Sequence, residues 1–161
     1  MEISTFSEVG GGIAVREVAW DDADAVALRA GQRAEIAELY GTHDSEAGPA
    51  PSAGDIAVFL LAHGADGTPL GCGGLRRLAG ATGEVKRMYV TPEARGTGVA
   101  EAVLRGLEDW ARRSGWRALR LETGDRQHAA VRFYTRAGYA RISNFGPYAQ
   151  SPDSLCFERA L

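Results

Sequence analysis

A glycine-containing turn at residues 95–100, Arg-Gly-Thr-Gly-Val-Ala, has the residue types best suited to binding chemistry. It follows a β-type run that ends at Thr91-Pro92, and apolar residues recur at helical spacing after it. A helix N-terminus exposes backbone N–H groups and the positive end of the helix dipole, so it binds phosphate without a large net positive charge. Gly96 and Gly98 let the main chain approach such a ligand closely. The turn is therefore predicted to bind a phosphate-bearing ligand.

Two common phosphate-binding motifs fit this turn poorly. A P-loop ends in Gly-Lys-Ser/Thr, whereas Gly98 is followed by Val-Ala. The dinucleotide fingerprint G-x-G-x-x-G fits at Gly96 and Gly98, and Glu122 stands where a ribose-binding acid would lie, but Glu101 replaces the third glycine. A long charged side chain there would prevent the close helix–strand packing that this glycine allows. A nicotinamide or flavin cofactor is therefore the remote alternative.

A third pattern, Gln/Arg-x-x-Gly-x-Gly/Ala, is matched in full by Arg95, Gly98 and Ala100. This pattern is typical of the GNAT superfamily of acyl-CoA-dependent N-acyltransferases, and the resemblance extends beyond the turn. Residues 84–92 resemble the central strand of that family, and residues 130–139 resemble a later helix with the strand that follows it. The sequence is thus similar to the superfamily over most of residues 83–140.

The resemblance implies acetyl-CoA as the acyl donor, with its pyrophosphate on the turn and no metal. In the family the central strand splays near residues 88–90, which frees backbone N–H groups for pantetheine and for the thioester carbonyl. Gln127 stands where similar proteins often carry Asn, so we expect it to be a weaker contact. The expected cofactor-binding residues are Met88, Tyr89, Val90, Arg95, Gly96, Thr97, Gly98, Val99, Ala100 and Gln127.

Transfer of an acyl group to an amine needs a proton acceptor, because an alkyl amine with a pKa near about 10.4 is almost fully protonated at neutral pH. The resemblance implies Glu84 as this base, acting directly or through water, and Tyr134 as the general acid that protonates the leaving thiolate. Structural roles are the alternatives. Glu84 would then pair with Lys86 or a nearby arginine, and Tyr134 would be a core aromatic on the apolar face of a helix.

The resemblance places the acceptor pocket in the variable parts of the family, here about residues 29–54 and 144–153. The candidate substrate contacts are Arg33, Tyr40, Arg87, Glu122 and Tyr148. An acidic chain suits a cationic amine, yet Arg33 and Arg87 would equally suit an amine that carries a carboxylate. An amino acid, a polyamine, an antibiotic and a peptide N-terminus all stay open as acceptors.

The predicted function is that of an N-acetyltransferase, moving an acetyl group from acetyl-CoA to a primary amine, on a small molecule, by direct attack in a ternary complex. A non-catalytic acyl-CoA-binding regulatory module is the alternative from another class of protein. The presence of both Glu84 and Tyr134 favours the enzyme.

Hydrophobic periodicity predicts the elements that would position these residues. Strands are expected over residues 13–18, 56–62, 69–75, 83–90, 118–122 and 154–158. Helices are expected from residue 23, over residues 32–40, from residue 97 up to Gly115, and from near Asp125 up to Gly138. This order predicts a mixed sheet with helices on both faces. Together with the resemblance it implies an α/β (α+β) fold with a GNAT-like central mixed, mostly antiparallel, twisted sheet of about six or seven strands.

Length and composition restrict the remaining classes. The 161 residues suit one domain, predicted over residues 12–161 after an N-terminal extension of residues 1–11. A net charge of −3 and a pI near 5.6 argue against nucleic-acid binding, and no apolar stretch is long enough to predict a membrane span. The acidic N-terminus lacks a signal-peptide pattern, so the chain is predicted to be cytoplasmic.

Cysteine and histidine usage predicts neither a disulfide framework nor a metal site. Cys72 and Cys156 are interpreted as buried thiols, with a redox or acyl-carrying cysteine as the alternative. His43, His63 and His128 lack ligand-like spacing. A homodimer is compatible with the sequence, because the family often forms dimers and a sheet edge near the last strand would serve.

Overall fold

The strand-forming runs of the sequence assemble into one eight-stranded sheet in the structure, a computed structural model that describes residues 7–9, 12–42 and 46–161. The strands are β1 (Ser7–Val9), β2 (Ile13–Glu17), β3 (Ile56–His63), β4 (Pro69–Arg77), β5 (Thr82–Val90), β6 (Ala118–Gly124), β7 (Ala140–Ile142) and β8 (Ser154–Ala160). The helices are α1 (Ala23–Tyr40), α2 (Val99–Arg113) and α3 (His128–Arg136).

The sheet has the strand order β1-β2-β3-β4-β5-β6-β8-β7, and every neighbouring pair is antiparallel except β5 with β6. This confirms the predicted fold class. Seven strands lie within residues 12–161, and the three-residue β1 lies in the predicted N-terminal extension. The other residues of that extension, 1–6 and 10–11, lie outside the described residues.

Helices cover both faces of the sheet. Apolar side chains of α2, including Val103 and Leu107, and of α3 pack with Leu119 and Leu121 of β6 in the larger core cluster. On the other face, Leu28 of α1 packs with Phe59 of β3 in a smaller cluster. Because side chains alternate along β6, Leu119, Leu121 and Thr123 point towards α2 and α3. Glu122 points to the other face of the sheet, towards α1.

The prediction of two helices between residues 23 and 40 is wrong, because α1 is continuous. Its start is as expected, since the Asp22 carboxylate accepts from the N–H groups of Asp24 and Ala25, both at 3.1 Å. Gly31 weakens the helical pattern in the sequence, but a close contact with Tyr89 explains the glycine. A Cβ at Gly31 would lie 3.1 Å from the Tyr89 hydroxyl oxygen. Gly41, with φ of 75°, ends the helix.

Two predictions near the C-terminus also need correction. The helix expected from near Asp125 begins at His128, with Gln127 at its N-cap. The resemblance implied a strand after this helix, but hydrophobic periodicity did not predict β7, because three residues with only intermediate or exposed side chains have no burial periodicity to reveal them. β7 pairs with β8 and is the edge strand on that side of the sheet.

Substitution of Gly83 by alanine is expected to destabilise the fold by about 1–3 kcal/mol, through overpacking. A Cβ at Gly83 would lie 2.1 Å from Cζ3 of the rigid Trp116 indole and 3.1 Å from Leu119 Cδ2. Urea unfolding of the variant measures the loss. Gly54→Ala is the matched control, because its Cβ would meet only Ser52 Oγ at 3.8 Å, so we expect little change. Equal stability of the two variants would contradict the packing assigned to Trp116.

Candidate functional site

A cleft opens where the parallel strands β5 and β6 separate. The two strands pair at only three positions, the last of which joins Glu84 to Arg120. Beyond this point lies a cavity of about 370 Å³. Its walls are formed by Gln32, Ile36, Tyr40, Thr42, Glu46, Val85, Lys86, Arg87, Met88, Glu122, Thr123, Gly124, Asp125, Arg126, Gln127, Ala130, Tyr134, Ser151, Asp153 and Ser154. The cavity has the size of a small-molecule site.

A β-bulge shapes the β5 side of this cleft. Cys72 of β4 pairs with Tyr89 and Gly74 pairs with Lys86, so Gly73 alone opposes Arg87 and Met88. Arg87 has a φ of 60°, which is unusual for a side chain of this size. The irregularity thus begins one residue before the predicted splay, and Tyr89 and Val90 pair regularly with β4. Gln32 of α1 holds the bulge, since its Nε2 donates to the Met88 carbonyl oxygen at 2.8 Å.

The glycine-containing turn lies at the end of β5 and leads into α2. Gly96 and Gly98 have φ of 76° and 93°, and Gly98 is the N-cap of the helix. Within the described chain no side chain caps α2, so the N–H groups of its first turn keep their capacity to bind an anion. The Arg95 Nε donates to the Val90 carbonyl oxygen at 3.2 Å, and its guanidinium pairs with Glu35 at 2.6 Å.

Tyr134 and Thr123 form the cleft wall on the α3 side. Tyr134 is 7% exposed and makes edge contacts with Phe133 and Tyr139, but its hydroxyl forms no hydrogen bond with any residue of the described chain. Burial raises the Tyr134 pKa, so the hydroxyl stays protonated at neutral pH and can donate. The buried Thr123 Oγ1 also lacks a partner among the described residues, and Gln127 lines the cleft nearby.

Glu122 of β6 is a partly buried carboxylate on the opposite wall of the cleft, which faces α1. Ser154 Oγ donates to its Oε2 at 2.9 Å. Burial raises the pKa of Glu122, and the nearby carboxylates of Glu46 and Glu84 add to this, while the Ser154 hydrogen bond and Lys86 oppose it. A carboxylate with a raised pKa is a stronger base than an ordinary carboxylate, so it takes up a proton more readily.

Glu84 lies beneath the cleft rather than among its lining residues. It is 1% exposed, and Arg76 Nη2 donates to its Oε1 at 3.0 Å. The Tyr148 hydroxyl donates to Glu84 Oε2 at 2.6 Å, and Lys86 Nζ lies 3.8 Å from the same oxygen. Both carboxylate oxygens of Glu84 are therefore already held by protein groups.

Glu46 bridges the two cations of β5 that reach the cleft. Its Oε1 contacts Lys86 Nζ, and its Oε2 lies 2.5 Å from Arg87 Nη1. Burial alone would raise the Glu46 pKa, but Lys86 and Arg87 outweigh burial and hold it below its usual value. Lys86 also donates to the Tyr148 hydroxyl at 3.1 Å, which links this bridge to Glu84.

The predicted acceptor contacts fall into two groups. Tyr40, Arg87 and Glu122 line the cleft, whereas Tyr148 is fully buried below it and Arg33 is exposed outside it. Tyr40 lies against β6, since a Cβ at Gly124 would be 1.9 Å from its hydroxyl oxygen. The sequence-based list missed Gln32, Glu46, Lys86, Thr123 and Ser154. Odd–even alternation along β5 and β6 could have suggested Lys86 and Thr123.

Neither cysteine is a candidate nucleophile in this cleft. Cys72 and Cys156 are fully buried and are not among its lining residues. Burial raises the pKa of Cys72 to about 12 and also raises that of Cys156, which disfavours the reactive thiolate.

Within the described residues no group of three or more His, Cys, Asp or Glu side chains could hold a metal ion. His43 lies outside the described residues. In the part of the chain that the structure describes, no helix is long and apolar enough to span a membrane.

Comparison with known proteins places this geometry in a family. The model of the acetyltransferase (GNAT) family matches residues 15–139, which include the bulge, the turn, β6 and α3. The chain belongs to the GNAT family. An IAA acetyltransferase of Azospirillum brasilense is 43% identical over 104 residues, covering 64% of this chain and 67% of that protein.

Solved structures of GNAT proteins share the fold. A Klebsiella pneumoniae protein assigned as an acyl-CoA N-acyltransferase is 33% identical, with a TM-score of 0.80 over 92% of this chain and 97% of that one. The PaiA N-acetyltransferase of Thermoplasma acidophilum, solved in complex with coenzyme A, has a TM-score of 0.70 at 19% identity, over 92% and 99% of the two chains. The second likeness concerns the fold alone.

Family membership makes this protein an acyl-CoA-dependent N-acyltransferase, with CoA as the carrier of the acyl group. The described residues fit this cosubstrate. The first turn of α2 offers unused N–H groups, and Thr123 Oγ1, on the α3 side of the cleft wall, is a buried polar atom without a partner among the described residues. A bound pantetheine chain would supply the amide groups that such an atom needs.

Proposed function

We propose that the chain transfers an acetyl group from acetyl-CoA to the primary amine of a small molecule, by direct attack within a ternary complex. The observation that supports this most strongly is the two-sided cleft. Tyr134 and Thr123 line it from the α3 side, and Glu122 lines it from the α1 side. Donor and acceptor can therefore enter from opposite faces and meet between β5 and β6.

Glu122 is the group best suited to take the proton of the acceptor ammonium. It reaches the cavity and its pKa is raised, whereas Glu84 lies below the cavity with both oxygens engaged. We assign Glu84 a positioning role, because it orients Tyr148 and Lys86 beneath the cleft. This assignment replaces Glu84 by Glu122 as the proposed base.

The transfer moves two protons, and each wall of the cleft supplies a group for one of them, Glu122 on the α1 side and Tyr134 on the α3 side. The ammonium loses one proton to Glu122, and the amine nitrogen then attacks the carbonyl carbon of the thioester. The bond between the carbonyl carbon and sulfur breaks, and the thiolate takes a proton from Tyr134. The second proton lost by the nitrogen restores the Tyr134 hydroxyl, and Glu122 releases its proton to solvent.

Direct attack is favoured over an acyl-enzyme because the lining residues that the structure describes include no activated nucleophile. Both cysteines are buried away from the described lining with raised pKa values. Ser154 donates to Glu122, and within the described residues no histidine lines the cleft to activate a serine. The cavity volume favours a small acceptor over a folded protein. The homodimer and the cytoplasmic location stay predictions.

Release of CoA thiol from acetyl-CoA in the presence of a panel of primary amines tests the proposal. We expect amine-dependent thiol release and an acetylated amine identified by mass spectrometry. Initial rates with both substrates varied should give intersecting double-reciprocal lines, as a ternary complex requires. Parallel lines would indicate an acyl-enzyme, and tight CoA binding without amine-dependent release on any panel member would contradict the proposed activity.

A further inference from the structure

We infer, on the basis of the proposed function, that the acceptor is a cationic amine without a carboxylate beside its amino group, and that Glu46 enforces this choice. The cleft contains two cations on β5, Lys86 and Arg87, that would otherwise bind a substrate carboxylate. Glu46 occupies both. The protein thus supplies its own carboxylate at the place where that of an amino acid would bind.

Of two further cations near the cleft, one is paired with carboxylates and the other lies exposed at the rim. Arg76 pairs with Glu84 at 3.0 Å and with Asp55 at 3.3 Å. Arg126, at the rim, donates to the Leu39 carbonyl oxygen at 3.4 Å, close to the negative end of the α1 dipole. A carboxylate that binds at Lys86 and Arg87 would have to displace Glu46, which would leave a partly buried charge without a partner.

Several acidic side chains of the cleft, in contrast, have no ion-pair partner within the described chain. The lining holds four acidic side chains and three basic ones, and within the described chain Glu122, Asp125 and Asp153 have no ion-pair partner. Glu122 is the deepest of these three, while Asp125 and Asp153 are exposed at the rim. A bound ammonium group would supply the missing positive charge.

Unused hydrogen-bonding capacity on the cleft wall agrees with a donor-rich ligand. Gln32 uses Nε2 on the Met88 carbonyl, so its remaining Oε1 is an acceptor without a donor among the described residues. An ammonium group brings three N–H donors and no acceptor, which suits Glu122 and Gln32 Oε1 better than a carboxylate would.

Matched pairs of acceptors test this inference. Each pair consists of an amino acid and the amine produced by its decarboxylation: ornithine with putrescine, tyrosine with tyramine, and tryptophan with tryptamine. We expect the decarboxylated member to have a kcat/KM at least about tenfold higher in every pair that is acetylated. A preference for the amino acids would overturn the inference and leave the proposed acetyltransferase activity intact. Absence of acetylation in all pairs would count against both.

Glu46→Gln tests the residue itself. Removal of its charge frees Lys86 and Arg87, so we expect the ratio of kcat/KM within a pair to shift towards the amino acid by at least about tenfold. Glu38→Gln, on the exposed face of α1, is the matched control and should keep the parent ratio. An unchanged ratio in a folded Glu46→Gln protein would overturn the role of Glu46. If that variant does not fold, the ratios of the parent protein still decide the acceptor class.

Discussion

Glu122→Gln is expected to lower kcat/KM for the acceptor amine by about a hundredfold, the usual contribution of a general base. The substitution keeps the size of the side chain and the possibility of a contact with Ser154, but it removes the proton-accepting carboxylate. Steady-state kinetics of thiol release measures the change. Glu38→Gln is again the control for loss of one surface charge, and it should behave like the parent protein.

The pH profile of the same variants separates the two candidate bases. In the parent protein, kcat/KM should fall as the pH drops through the Glu122 pKa, which burial raises above its ordinary value, because the protonated carboxyl cannot accept a proton. Glu122→Gln should lose this acidic limb. Glu84→Gln should keep it, although the loss of charge beside Arg76 and Lys86 will destabilise the fold. A limb lost in Glu84→Gln and kept in Glu122→Gln would make Glu84 the base.

Tyr134→Phe is the second substitution with a large expected effect, a fall in kcat of about a hundredfold. The ring contacts with Phe133 and Tyr139 are retained, so only the buried hydroxyl is lost. Since that hydroxyl has no partner in the described chain, its removal should leave the free energy of unfolding nearly unchanged. Without a proton donor, expulsion of the thiolate should slow.

Tyr139→Phe is the matched control for Tyr134→Phe. Tyr139 donates to Glu108 at 3.0 Å within the core and is not a lining residue of the cleft. Its loss should lower stability by about 1 kcal/mol and leave kcat close to the parent value. If Tyr134→Phe retains parental kcat, the leaving thiolate is protonated by another group, and Tyr134 is an aromatic wall of the cleft only.

Local patterns in the sequence predict those features whose causes are local. The spacing of Val99, Val103 and Leu107 reveals α2, and Gly96 and Gly98 allow the left-handed backbone that precedes it. The function of such a turn depends on its backbone geometry, which requires glycine at fixed positions. The same residues therefore also showed the resemblance to the GNAT family. The mixed sheet followed from strand and helix order, which obeys general rules of packing.

Errors in the element predictions arose where a distant contact overrides a local signal. Gly31 has a low intrinsic helix propensity, yet its small size is required within α1 by Tyr89, which lies far along the chain. Strand β7 is held by its pairing with β8, and its own residues show no strand-like burial pattern. In both cases tertiary packing outweighs local propensity.

The sequence by itself determined the family, and with it CoA as the carrier of the acyl group, because the residues that carry the resemblance form a contiguous turn with a specific backbone requirement. Only the tertiary structure decided which of two carboxylates lines the cleft. Glu84 and Glu122 are both acidic residues on neighbouring strands, and the separation of β5 from β6 beyond Glu84 leaves one below the cavity and the other at its wall. The bridge from Glu46 to Lys86 and Arg87 joins segments 40 residues apart. Such long-range pairing depends on strand register and loop path, which no local pattern encodes.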